Sequence, residues 1–474
     1  MKVTSLTNPV MSDWFVGQGL RLDASPYVSG SLEDKKALER LKETVPLVSL
    51  TVGHNGGIFN GPMFRRVYLT DPEHSVPFLG TKDMMAADLT GLPRLRKADA
   101  ESVALSYLRL KPGMTLISCS GFNAGRRAYV RPDMGECWSS QDTLKVEPDP
   151  EKIKSGYLYA FLLSRFGESL VRGSVYGSAV KHIEPHHIAG LPVPRFDAEL
   201  EGRIHLLIQQ SARLRACHQS ALVAATKDFF DSNGLSELND VKWHQQRRDL
   251  GFEVESVGPA SLRALNFAPR ARRLIGELSS VPGATLGEIC AGGSLQTGSR
   301  FKRIDADPSH GVRLIGQRQS FWIRPEGRWI SADQAPEDIH LQDETILVAA
   351  RGTFGENEVY SRSAFITGTW LEHAYSQDFV RLVSGDEEVS GAYLFAFFRS
   401  DVSFRILRSL SVGGKQQEYH PRLLREVPIP LAPPADRARI AKTIRYAYKC
   451  RDRADVLEDK ALALLTTAIE EAAG

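Results

Sequence analysis

The densest apolar stretches of the chain are two octapeptides, YLYAFLLS at 157–164 and YLFAFFRS at 393–400. Aromatic and aliphatic residues at helical spacing predict a buried helix in each place. Short β-like runs precede them: VPLVSLTV (45–52) and MTLISCS (114–120) before the first, TILVAA (345–350) and FVRLV (379–383) before the second. Gly, Pro, Asp and Asn bound these runs, as turns between strands require. Helical patterns open both halves, LEDKKALERLKE at 32–43 and ASLRALNFAPRARRLIGELS at 260–279. After each octapeptide come a Gly-containing polar loop and a P-x-P stretch that cannot continue a helix. The pattern then changes. Past Gly202 the chain runs to 230 without Gly or Pro, and apolar or small residues recur at 204, 207/208, 211, 214, 221, 225 and 229. Residues 434–472 behave the same way, with Ile440, Ile444, Ala447, Ala454, Leu457, Ala461 and Leu464. Each segment predicts one long amphipathic helix whose narrow stripe suits packing against another helix.

The octapeptides lie 236 positions apart, and the match extends at that offset. Ser140-Gln141-Asp142 recurs as Ser376-Gln377-Asp378, each followed by a basic residue, Lys145 or Arg381. Gly177 recurs as Gly413, Pro185 as Pro421, LPVP (191–194) as VPIP (427–430), and Ile204 and Ile208 as Ile440 and Ile444. Val45-Pro46 matches Val281-Pro282, GPMFRRV (61–67) resembles GSRFKRI (298–304), and LISCSG (116–121) aligns with ILVAARG (346–352) at an offset near 231. The chain reads as a tandem duplication with an α+β fold: two mixed α/β domains separated by two long helices packed as an antiparallel coiled-coil pair. The boundaries are 1–195 for the first domain, 196–233 for the first spacer helix, 234–257 for a polar linker, 258–431 for the second domain and 432–474 for the second helix.

At 474 residues the chain is too long for one core. No run of 18 or more apolar residues exists, so no membrane contact is expected, and MKVTSLTNPVMSDW lacks the apolar segment of a signal peptide. Five cysteines without CxxC spacing argue against a disulfide framework, and a cytoplasmic setting is expected. The net charge of +2 confines any contact with nucleic acid to local patches.

Two segments carry a family likeness: ETILVAARGTFGENEVYS (344–361) and SVGGKQQEYHPRLLREVPIPLAPPADRARIAKTI (411–444). Weaker versions stand at 115–130 and 175–208. With these motifs and the alternation of domains and helices, the chain resembles the DNA specificity subunit of type I restriction–modification enzymes. The resemblance implies a non-catalytic recognition subunit whose repeats each read one half of a bipartite target in double-stranded DNA. It implies as partners a DNA methyltransferase (modification) subunit docked on the helices and a restriction or helicase subunit. It implies no cofactor in this chain, with S-adenosylmethionine on the methyltransferase. Two departures point to a divergent branch, such as a methylation-based phage-defence system. Ser120 and Phe122 stand where the second repeat has Arg351 and Thr353, and both repeats open with an extra helical segment (roughly 12–44 and 258–280).

Catalytic signatures are missing from the sequence. Gly413-Gly414-Lys415 lacks the leading Gly and following Ser/Thr of a Walker A loop. There is no Asn/Asp-Pro-Pro-aromatic methyltransferase motif, and EDK at 33–35 and 458–460 reads as solvated helix face. His182, His186 and His187 have no Cys or acidic partner at ligand spacing, so no metal site is expected.

Reading DNA needs cations for phosphates and forked or amide side chains for base edges. The candidates are Arg65, Arg66, Arg126, Arg127 and Lys181 in the first repeat. In the second they are Arg300, Lys302, Arg303, Gln317, Arg318, Arg351, Lys415, Gln416 and Gln417. FRR and FKR recur at matched sites, whereas the loops 121–131 and 352–358 differ, as readers of different half-sites should. On the helices, Ile204, Ile208, Leu214, Ile440, Ile444 and Leu457 are the expected partner-binding stripe. Two alternatives stay open: a protein-binding scaffold of a defence complex without DNA reading, and the specificity partner of a fused methyltransferase–nuclease.

Overall fold

Tyr157 and Tyr393, the first letters of the octapeptides, are fully buried, and their hydroxyls donate to the carbonyls of Pro194 (2.6 Å) and Pro430 (2.8 Å). Each buried helix (Ser155–Leu163, Gly391–Phe398) is thereby tied to its own P-x-P stretch. Those stretches are short strands. Pro192–Pro194 pairs with Thr44–Pro46, and Pro428–Pro430 pairs with Gly283–Thr285. The pairing corrects one sequence match: Ala284, not Val281, is the counterpart of Val45, because Val45 faces Val193 and Ala284 faces Ile429. VPLVSLTV, expected as one strand, turns into a 3-10 helix at Leu47–Leu50.

The computed structural model describes residues 12–17, 25–28, 30–177, 181–248, 250–255, 257 and 261–473. Parts of the two extra opening segments, of the 175–182 loop and of the N-terminal stretch lie outside the described residues. The chain divides into two compact units, residues 1–216 with 453–474, and residues 217–452.

Both units are built alike. The first has a four-stranded sheet in the order Ile58–Phe59, Thr143–Val146, Thr115–Ser118, Arg127–Tyr129, and a three-stranded sheet in the order Arg94–Arg96, Ser75–Leu79, Trp138–Ser139. The second repeats both with Ser294–Thr297, Phe379–Val383, Thr345–Ala349, Ser363–Ile366, and with Arg328–Ser331, Gly311–Ile315, Ala374–Tyr375. In each three-stranded sheet one neighbour is antiparallel and the other parallel. The offset near 231 is real: Cys119 N donates to Asp142 O, and Ala350 N to Asp378 O, both at 2.9 Å.

The long helices run Ala198–Ser232 and Pro434–Ala473. In the second unit they pair antiparallel: Cys217 lies 3.6 Å from Cys450 (Sγ–Sγ), and Asp228 binds Arg439 at 2.7 Å. Each unit draws on both. Ile204, Ile208 and Ala212 share the first core with Ala461, Leu465 and Ile469. Leu222, Ala225 and Phe229 share the second with Ile440, Ile444 and Ala447. Full burial of a Leu, Ile or Phe side chain contributes about 1.5–3 kcal/mol, so each core leans on helix residues from both repeats.

The buried seam of the first helix falls at 201, 204, 208, 211, 215, 218, 222, 225 and 229, alternately three and four residues apart. It includes polar side chains that an apolar stripe omits. In the first unit Ser211 Oγ donates to Ala454 O (2.9 Å), and Arg215 lies 3.0 and 3.1 Å from Asp455 and Glu458. In the second, His218 Nδ1 donates to Ala447 O at 2.9 Å. Glu458 is therefore a buried ion-pair residue and not part of a solvated face. The segment expected as linker is anchored as well: Leu235 and Leu238 lie in the second core, and Trp243 packs against it.

Candidate nucleic-acid interface

Ser376-Gln377-Asp378 leads from Ala374–Tyr375, in one sheet, to Phe379–Val383, in the other. Four loops of the second unit converge on that turn. Arg303 donates to Gln377 Oε1 (2.9 Å) and lies 3.8 Å from Asp378. Arg351 sits 3.6 Å from Asp378 and 3.4 Å from Glu418. Gln317 clasps the backbone of Arg351 with both ends of its amide, Nε2 to the carbonyl (2.6 Å) and Oε1 from the N–H (3.2 Å). Gln417 N donates to Gly352 O at 2.9 Å. The hairpin that carries Gln417 turns at Gly413, where φ is +98° and a Cβ would stand 2.6 Å from Gln416 O. At Gly298 a Cβ would stand 2.2 Å from the Arg381 guanidinium, which would have to shift to admit it.

Exposed cations crown these loops: Arg300, Lys302, Arg318 and Lys415, with Gln416 exposed beside them. No ion pair among the described residues engages those four. From beneath, buried arginines hold the 351–358 loop. Arg405 grips Glu356 with one nitrogen (2.7 and 2.8 Å), and Arg408 donates to Phe354 O (2.6 Å) and Gly355 O (2.9 Å). Burial pushes the Arg408 guanidinium down to about 10.

The first unit repeats the clasp. Arg66 donates to Gln141 Oε1 (2.7 Å) and lies 3.5 Å from Asp142, over the Phe78 ring. Ser120, where the second repeat has Arg351, donates to Asp142 Oδ1 at 3.2 Å. Beneath the turn, Lys145 is fully buried and donates to Ser140 O and Thr143 O, each at 2.8 Å. Burial pushes its ammonium down to about 7. Its counterpart Arg381 is buried too and donates to Asp338 O and, at 3.4 Å, to Tyr375 O. Gly177 shares the hairpin conformation, φ +94°. Arg65 and Lys181 are exposed here and Arg126 is half-buried.

Several expected site residues are structural. Arg127 is buried and bonds to Gly125 O (2.7 Å) beside Glu168. Gln417 is buried, its amide held by Arg263 and Gly414. Gln317 commits its amide, and Arg66 and Arg303 one guanidinium nitrogen each, to the scaffold. The stripe Ile204, Ile208, Ile440, Ile444 and Leu457 is covered within the chain, and Leu214 is half-buried beside the seam. The apolar residues that the long helices leave exposed are Leu206, Val223, Tyr446 and Val456.

Sequence reasoning missed Lys82, although LGTKD (79–83) repeats as IGQRQ (315–319) and places it opposite Arg318. The turn itself recurs: Gly80 N donates to Asp83 (3.1 Å), Gly316 N to Gln319 (3.2 Å). Arg263, Arg405 and Arg408 carry no motif and were not legible. His187 accepts from Glu184 N at 3.1 Å in a helix cap, and among the described residues no group of three His, Cys, Asp or Glu is placed to hold a metal ion. No described helix is long and apolar enough to cross a membrane.

No protein-family model matches the chain, and no curated protein matches it. Solved structures do match it, three of them as follows. A crystal structure of a type I restriction-modification system S subunit from M. genitalium matches at TM-score 0.33 and 12% identity, over 91% of this chain and 94% of that one. The HsdS subunit from Thermoanaerobacter tengcongensis matches at 0.27 and 13%, over 90% and 96%. A structure titled for complex assembly and conformational transition of the type I R-M system matches at 0.27 and 14%, over 90% and 97%.

Proposed function

We propose that this chain is the sequence-specific DNA-recognition subunit of a type I-like restriction–modification or methylation-based phage-defence complex, without catalysis of its own. One observation carries the reading. The two units share a scaffold down to the Arg–Gln clasp on Ser-Gln-Asp, while the loops around that clasp differ, and in the second unit four exposed cations sit on them. Scaffold constancy with loop divergence is what two readers of different half-sites need, cations holding phosphates and amides or guanidinium forks reaching base edges. The methyltransferase subunits dock on the exposed faces of the long helices, whose length sets the gap between half-sites. S-adenosylmethionine belongs to those partners.

The test is retention of a random duplex library by the full-length chain, paired with a methylome comparison of cells with and without its gene. A bipartite motif common to both is expected. A chain that retains no sequence preferentially, in cells whose methylation does not depend on it, overturns the reading.

A further inference from the structure

The basic segment KWHQQRR (242–248), part of the expected linker, is a built element of the second unit. Its anchor is Trp243, which lies under two guanidinium groups, Arg270 at 4.1 Å and Arg405 at 5.2 Å from the ring centroid. Arg270 also donates to the Trp243 carbonyl at 3.0 Å. The segment closes on itself, Gln246 Nε2 donating to Val241 O (2.7 Å), and Lys242 holds φ at +45°, a conformation non-glycine residues seldom adopt. What this turn presents is charge. Lys242, Arg247 and Arg248 are exposed, and the only carboxylate beside any of them among the described residues is Asp240, 4.0 Å from Lys242. His244 of the turn lies 3.7 Å from Glu356. Glu356 belongs to the same 351–358 loop whose first residue, Arg351, stands on the candidate DNA face.

We propose that this turn is a second phosphate-binding element, gripping the DNA backbone that flanks the half-site read by the second unit. The inference rests on the proposed function. Exposed cations on an anchored turn, with one acidic partner among the described residues and against a loop that begins on the reading face, suit a polyanion that runs past that face. Contacts to phosphates position the protein and carry no sequence information, so removing them changes affinity and salt dependence and leaves base preference alone.

The experiment compares the full-length chain with its Arg247→Gln/Arg248→Gln variant on the selected duplex, by salt-titrated binding and hydroxyl-radical footprinting. Both substitutions are on exposed side chains outside the cores. The slope of log K against log salt is expected to fall by roughly one to two, since each phosphate contact contributes about 0.9. Protection is expected to vanish beside one half-site while the preferred motif stays the same. An unchanged slope and footprint in a variant that still selects the motif overturn the turn's role and leave the proposed function standing. That result would make the turn a docking point for an acidic protein surface. An altered motif with an unchanged slope also overturns it, by making the turn a base reader. A wild-type chain that selects no motif overturns the proposed function itself.

Discussion

The matched tyrosines invite a paired perturbation, Tyr157→Phe and Tyr393→Phe, each removing one oxygen from a fully buried ring. The two hydroxyls are not equally engaged. Tyr157 donates to Pro194 O alone among the contacts described. Tyr393 donates to Pro430 O, accepts from Ala432 N at 3.0 Å and lies 3.3 Å from Asn233 Nδ2. Burial pushes both hydroxyls above their ordinary pKa, so both remain donors across the accessible pH range. Leaving one buried polar group unpaired costs about 1–3 kcal/mol. Tyr157→Phe orphans one carbonyl and should destabilise the first unit by about 1–2 kcal/mol. Tyr393→Phe orphans a carbonyl and an N–H, and the second unit should lose about 2–4 kcal/mol. Two units need not unfold together, so a single melting curve is the wrong assay. Hydrogen exchange in a urea series, with peptides from 155–163 and 391–398 followed by mass spectrometry, reads each unit separately. Equal costs, or loss of protection in the unit that was not mutated, would refute the reasoning.

Three further outcomes are expected. Lys145 is depressed to about 7 in the folded chain from about 10.5, so the unfolded chain binds more protons between those values and the first unit gains stability as pH rises from 7, by up to about 1.4 kcal/mol per pH unit; Lys145→Met should flatten that dependence, and a slope that survives the substitution belongs to another group. Mild oxidation with diamide should join Cys217 to Cys450, read as one linked peptide pair in a monomeric chain, and failure to link under denaturant-free conditions contradicts the antiparallel register. Because the helix seam repeats every seven residues, inserting seven residues into both long helices, between 215 and 216 and between 452 and 453, keeps the seam and lengthens each by about 10 Å, so the preferred gap should grow by about three base pairs at roughly 3.4 Å each; an unchanged gap in a folded variant would show that the helices do not set it.

What the sequence disclosed was whatever both repeats had to keep. The octapeptides, LPVP and VPIP, Ser-Gln-Asp and the paired FRR and FKR are legible because the same contacts recur, Tyr to Pro and Arg to Gln, and the matching residues stand at nearly constant offset. Val281-Pro282 misled because a three-residue shift moves the true counterpart of Val45 to Ala284. Burial of long polar side chains was the main thing hidden. Arg127 and Gln417 look like reading residues in one dimension, and only the sheet face or hairpin on which each sits turns it inward. The helix seam failed for a related reason: a stripe traced through apolar letters passes over Arg215, His218 and Glu458, whose partners lie more than 200 positions away.

The interleaving of the long helices orders events during synthesis. The first unit needs Ala461, Leu465 and Ile469, which leave the ribosome after every residue of the second unit has been made. At roughly 5–20 residues per second, residues 217–452 take about 10–50 s to emerge. Throughout that interval Ile204, Ile208 and the helix 155–163 lack the strap that covers them, a vulnerable apolar face. The unit translated first is therefore the last to be finished, and a frameshift just before codon 461 would damage it through Ala461, Leu465 and Ile469 while leaving residues 217–452 whole.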